Sequence, residues 1–156
     1  MKRIAVLNVD LPTGRLGLCA RDGYLVRIVF GGAEETGETD RVLDTAKRQL
    51  EEYFRGERRV FDIPLMPEGT PFQKRVWAAL TEIPYGETRS YAEIAAAVGS
   101  PKGFRAVGMA NHVNPIPIII PCHRVVGKNG KLVGYAGGTE MKAVLLDIEK
   151  KGLPQR

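Results

Sequence analysis

Three prolines fall within eight residues, Pro64-Leu65-Met66-Pro67-Glu68-Gly69-Thr70-Pro71. Proline fixes φ and donates no backbone hydrogen bond, so neither a helix nor a central strand runs through this stretch. It is a connector, and it divides the 156-residue chain near residue 65. The length suits one domain or two small lobes with a shared interface, and it buries a core without disulfides.

The part before the connector reads as strands and one helix. Arg3–Val9, Leu16–Ala20 and Tyr24–Phe30 are β-branched-rich runs, and Asp22-Gly23 is a hairpin turn between the last two. Val42, Leu43, Ala46, Leu50, Tyr53 and Phe54 recur at helical spacing, Gly56 ends that helix, and Val60–Ile63 reads as a short strand. Cys19 sits in an apolar strand and reads as a buried structural thiol.

After the connector, Thr70-Pro71-Phe72-Gln73 has a capping residue, proline at the first helical position and Gln at the third, which is a capping box. Phe72, Val76, Leu80 and Ile83 form one apolar stripe. Ser90-Tyr91-Ala92-Glu93 is a second capping box, for a helix ending at Gly99. Ser100-Pro101 is expected to start a third helix reaching about Val113. Two short helices joined by Gly99-Ser100-Pro101 read as a helix-turn-helix over about 90–113. Arg105, Gly108 and His112 share one face of its second helix. Gly108 is either a packing glycine or a place where a ligand approaches the backbone.

Ile116-Pro117-Ile118-Ile119-Ile120 is fully apolar and reads as a buried extended segment, ended by Pro121 and followed by Cys122-His123-Arg124. Val125-Val126 and Leu132-Val133 flank Asn129-Gly130 like the strands of a hairpin. Gly134-Tyr135-Ala136-Gly137-Gly138 is a loop able to close over a ligand. A last helix carries Met141, Val144, Leu145 and Ile148, with Glu149 at the edge of that face, where a buried carboxylate needs a partner. A nucleophilic cysteine needs a base, and the base an orienting group. Cys122, His123 and Glu149 supply those types, although neighbouring side chains on an extended segment diverge, so His123 would act through a water or a turn. A structural buried cysteine is the equal alternative.

Pro121-Cys122-His123-Arg124-Val125 closely resembles the active-site signature of the O6-alkylguanine-DNA alkyltransferases. Phe72-Gln73-Lys74-Arg75-Val76-Trp77, Ile83-Pro84-Tyr85-Gly86-Glu87-Thr88, Ser90-Tyr91, Arg105-Ala106-Val107-Gly108, Asn114-Pro115 and Gly134-Tyr135-Ala136-Gly137-Gly138 are similar to the family's bacterial members. The resemblance spans about residues 70–150. It implies direct DNA repair: an alkyl group moves irreversibly from O6-alkylguanine, and by extension O4-alkylthymine, to Cys122, once per molecule, on a nucleotide flipped out of the duplex. Cys122 matches the acceptor, His123 the residue that deprotonates it through a water, Glu149 the carboxylate that orients the histidine, and Asn114 an asparagine organising the active-site turn. Tyr91 matches the tyrosine that stands near the target phosphate and protonates the departing guanine. Arg105 matches the arginine that fills the vacated stack, with Gly108, Ala106 and Asn111 on the same DNA-facing helix. Val125, Tyr135, Ala136, Pro117 and Met109 are expected around the base pocket; Ala136 is a serine in some relatives.

The expected class is α+β. A small N-terminal sheet-plus-helix domain, 1–65, precedes a mainly helical, winged helix-turn-helix-like domain, 66–156, that binds the minor groove of double-stranded DNA. The expected protein is a cytoplasmic monomer, with cooperativity on DNA left open. The net charge of +5 permits a polyanion partner. Apolar runs are too short for a membrane span, and Asn8 and Asp10 cut short a signal-like start. No cofactor is expected, and no metal, because Cys19, His112, Cys122 and His123 lack paired ligand spacing. Three rival classes differ by feature. A lesion-sensing module would lack Cys122, a Cys-His hydrolase would need an oxyanion hole, and a helix-turn-helix regulator would need a dimerisation segment.

Overall fold

The computed structural model describes residues 2–38, 40–132, 135 and 137–152. Strands β1 (Arg3–Leu7), β2 (Leu16–Arg21) and β3 (Tyr24–Phe30) form an antiparallel sheet with β2 in the centre. The β2–β3 turn is tight because Asp22 and Gly23 take φ of 53° and 83°, the left-handed pair that such a hairpin requires. Helix α1 (Arg41–Phe54) is capped by the Asp40 carboxylate and lays Leu43, Ala46, Leu50 and Tyr53 on the sheet. Gly56, at φ 75°, ends it.

The connector crosses the open edge of β3, where Leu25 N–H donates to Pro64 O and Met66 N–H to Leu25 O. Helix α2 (Pro71–Thr81) and helix α3 (Tyr91–Ala97) both start at the expected capping boxes, with reciprocal side-chain bonds at Thr70/Gln73 and Ser90/Glu93. Helix α4 (Phe104–His112) packs on α2 and α3, and Trp77 Nε1 donates to Ala110 O at 2.9 Å. Helix α5 (Gly138–Gly152) is the last element among the described residues. One apolar core joins both halves, running from Leu16, Leu18 and Leu50 to Val76, Ile116, Val125 and Leu145.

Four local expectations are corrected. Val60–Ile63 is not a strand: the Gln49 amide accepts from Asp62 N–H and donates to Asp62 O, taking the place of a neighbouring strand. Ile116–Ile120 is buried but not extended. Ile119 N–H bonds Pro117 O across Ile118, whose φ of 74° is strained for a β-branched residue. Leu132 is not in a strand, and β5 (Val125–Val126) pairs in parallel with β4 (Arg89–Ser90) instead. Val133 lies outside the described residues. Finally, α4 starts at Phe104, because residues 100–103 close a turn through Gly103 N–H to Ser100 O.

Candidate active site

Cys122, His123 and Arg124 form one turn of 3-10 helix. The turn solves the geometric problem of adjacent side chains: successive residues no longer point to opposite sides. His123 and Arg124 both reach Glu149 on α5, and all three are buried. Arg124 grips the carboxylate with two bonds, Nε to Oε1 at 2.9 Å and Nη2 to Oε2 at 3.0 Å, while its Nη1 donates to Ile83 O. Gly86 N–H donates to Oε1, and the Tyr53 hydroxyl and His123 Nε2 both sit on Oε2.

Burial pushes the Glu149 carboxyl up, but the bonds and charges of His123 and Arg124 outweigh it and hold it at about 2. Glu149 is therefore an anion and only accepts. His123 must donate from Nε2, at 2.5 Å. That fixes the tautomer: Nδ1 carries the lone pair, and it has no protein hydrogen-bond partner among the described residues. Burial also lowers the His123 pKa, so the ring is neutral and its Nδ1 is unprotonated.

Cys122 is 1% exposed, and burial raises its thiol to about 11, against the pull of Asn114, Tyr135 and the Lys142 charge. Lys142, on α5, is fully buried, with Nζ 5.9 Å from the ring centres of both Tyr91 and Tyr135. Burial brings it down to about 8, and the charge of Cys122 pulls it back up. Tyr135 is buried and its phenol is raised well above the usual range by burial, then by Cys122. Tyr91 is half-buried at the start of α3, raised by burial and by Cys122. Asn114 holds the strained turn closed, donating to Ile120 O and accepting from Ile116 N–H.

The expected site residues divide clearly. Val125 and Pro117 are buried in the turn region with Cys122, His123, Asn114 and Tyr135. Arg105 and Ala106 are exposed on α4, and Arg105 makes no ion pair or side-chain hydrogen bond among the described residues. A Cβ at Gly108 would meet only Tyr91 Cε1, at 4.0 Å, so helix packing does not require glycine there. One placement on α4 is corrected: Asn111 does not share the exposed side with Arg105 and Ala106, but is buried, and its Nδ2 donates to Cys122 O at 3.2 Å. Met109, expected around the base pocket, is 60% exposed. The helical repeat turns Val107, Ala110 and Asn111 inward and so leaves Met109 outside. Ala136 lies outside the described residues. Arg124, Tyr53 and Lys142 are site residues that sequence reasoning misses. Arg124 stands inside the signature, Tyr53 looks like any helix-stripe aromatic, and Lys142 looks like a solvated residue beside the Met141–Leu145 stripe.

Residues 71–151 match the family model for the 6-O-methylguanine DNA methyltransferase DNA-binding domain, and residues 7–67 match that of its ribonuclease-like domain. This chain belongs to the 6-O-methylguanine DNA methyltransferase family. It is 65% identical over 154 residues to the constitutive methylated-DNA–protein-cysteine methyltransferase of Bacillus subtilis, covering 92% of this chain and 93% of the relative. It is 51% identical over 153 residues to that of Mycolicibacterium paratuberculosis, covering 94% and 93%. The crystal structure of Mycobacterium tuberculosis O6-methylguanine methyltransferase superposes with a TM-score of 0.84 at 45% identity, over 100% of this chain and 97% of that one. The Mycobacterium tuberculosis protein in complex with DNA gives 0.81 at 45% identity, over 98% and 94%. The chain is thus a DNA-binding repair enzyme that transfers an alkyl group to a protein cysteine. Among its described residues no helix is long and apolar enough to cross a membrane, and no cluster of His, Cys, Asp or Glu is placed to hold a metal ion.

Proposed function

We propose that Cys122 is the alkyl acceptor for O6-alkylguanine flipped out of double-stranded DNA. The observation that carries this is the His123 Nε2–Glu149 Oε2 bond, which leaves a neutral, buried base with its lone pair on Nδ1 one residue from the thiol. His123 Nδ1 takes the thiol proton through a water. The thiolate attacks the alkyl carbon, the S–C bond forms as the C–O6 bond breaks, and the departing guanine is protonated by Tyr91. The thioether product has no group on the chain to cleave it, so each molecule reacts once. Lys142 supplies the positive charge that the thiolate needs in this buried site. The exposed side of α4, with Arg105 beside Phe104, Met109 and Val113, each at least 44% exposed, suits a groove floor more than a row of phosphates. Arg105 enters the vacated stack from the minor groove, with Gly108 and Ala106 permitting close approach. O4-alkylthymine fits the same chemistry. A monomer in a reducing cytoplasm accords with two free thiols, Cys19 and Cys122.

The test is intact-protein mass spectrometry after mixing with excess duplex carrying O6-methylguanine. The expected result is one added methyl, on Cys122, saturating at one equivalent. Continued turnover, or methylation of Cys19 instead, overturns the assignment.

The role of Lys142 has its own expected result. A buried ammonium held at about 8 disfavours the fold at pH 7 relative to the unfolded chain, where lysine titrates near 10.5. Lys142→Met should therefore raise stability by about 1–3 kcal/mol at pH 7. The unfolded chain binds more protons between the two pKa values, so wild-type stability climbs with pH there, and the variant's advantage fades from pH 8 towards 10.5. The same substitution should slow transfer by ~10–1,000-fold at pH 7, because a nearby opposite charge favours the ionised thiol by about that factor. Urea melts across pH and single-turnover kinetics check the two halves.

A further inference from the structure

We infer that Tyr53 is a positioning residue through which the N-terminal half of the chain sets the proton affinity of the His123 base. The inference rests on the reading of His123 as the base for Cys122. Tyr53 lies in the last turn of α1, far from every residue of the signature in sequence, yet its side chain is completely buried. Its hydroxyl donates to Glu149 Oε2 at 2.6 Å and stands 3.5 Å from His123 Nε2. Phe54, Phe61 and Tyr85 pack around its ring, at centroid distances of 5.5, 5.5 and 6.2 Å. Phe54 and Phe61 from the N-terminal half and Tyr85 from the C-terminal half thereby hold the ring with its hydroxyl aimed at Glu149.

Tyr53 and His123 compete for one oxygen. A neutral donor on Oε2 takes up part of its basicity, which weakens the pull of that oxygen on the His123 N–H. The imidazolium form of His123 gains less from Glu149 than it would alone. The ring stays neutral to lower pH, and Nδ1 stays available. The other groups acting on His123 are Arg124 from its own turn and Lys142 from α5. Both are cations and push in the same direction as Tyr53. Cys122 precedes it in the turn, and Tyr85 stands against the ring of Tyr53. Glu149 alone favours the charged ring, and Tyr53 restrains Glu149.

The experiment compares wild type, Tyr53→Phe, and protein with 3-fluorotyrosine incorporated at position 53. Each is reacted with free O6-benzylguanine from pH 5 to 9 under single-turnover conditions, and Cys122 alkylation is read by mass. Free base bypasses the DNA-binding face. Tyr53→Phe should move the acid limb of the rate profile up by half a pH unit or more, which slows the reaction most at pH 5, by up to about threefold per half unit, and leaves it near wild type at pH 9. The fluorinated phenol is a stronger donor, so its acid limb should move down. Superimposable profiles, a uniform drop at every pH, or shifts in the same direction for both overturn the inference. If Tyr53→Phe fails to fold, the fluorotyrosine profile decides alone. If wild type itself leaves Cys122 unalkylated, the acceptor assignment fails instead, so the two failures are distinct.

Discussion

Cys122→Ala takes up no methyl group from duplex O6-methylguanine, and it still binds that duplex. The loss should be complete, because Lys142 beside Cys122 is an ammonium at pH 7, with its pKa at about 8, and the second thiol lies elsewhere. Cys19 is buried in β2, on the far sheet. DNA binding should survive because the proposed contacts, Arg105, Ala106 and Gly108, stand on α4 and owe their placement to Val107 and Ala110 rather than to the thiol. The fold should lose little: Cys122 behaves in the ground state as a small buried hydrophobe, because burial raises its thiol to about 11 and keeps it protonated at neutral pH. Removing one such sulfur costs about 1 kcal/mol. Mass spectrometry and a gel shift on the same preparation read both properties. Residual transfer at the wild-type rate would show that another side chain is the acceptor.

Glu149→Gln should be the most damaging single substitution for stability and activity together. The carboxylate accepts from His123, Arg124, Tyr53 and the backbone of Gly86, and it is the counter-charge to a buried guanidinium. An amide cannot replace the charge, and it turns one acceptor into a donor facing Arg124 or His123. Breaking one partner of a buried pair costs about 3–5 kcal/mol, which for this chain length lowers the melting midpoint by roughly 10 °C. With the tautomer of His123 no longer enforced, transfer should fall by on the order of 100-fold. The pH dependence identifies the cause. Glu149 titrates at about 2 in the fold against 4.5 for an ordinary glutamate. Its contribution, about 3 kcal/mol, is therefore fully present above pH 4.5 and is lost as pH falls towards 2. The gap between wild type and Glu149→Gln should shrink between pH 7 and pH 3 in urea melts. A gap that stays constant with pH would mean that the amide disturbs packing and not charge.

The elements legible in the order of amino acids are those with local causes. The capping boxes at Thr70 and Ser90 place helix starts by bonds within four residues, and both appear. Asp22-Gly23 makes its turn because the two residues tolerate positive φ. The misread segments have distant partners. Val60–Ile63 answers to Gln49, and Val125–Val126 to Arg89–Ser90. The turn at Ile118 is held by Asn114 and by burial, against the preference of a β-branched residue.

The site divides in the same way. The amino-acid order alone set the signature Pro121-Cys122-His123-Arg124-Val125, the helix that carries Glu149 and the pair of short helices that carries Arg105. It set them because nucleophile, base and capping residues are recognised by type and spacing. Only the tertiary structure decided that His123 and Arg124 converge on one carboxylate, that Asn111 faces inward, that Lys142 is buried beside Cys122 and that Tyr53 reaches across from the other half. Periodicity shows which face of a helix is buried, but not what that face meets. The polar atom at the tip of a buried tyrosine or lysine finds its partner only when the two halves close on their common core.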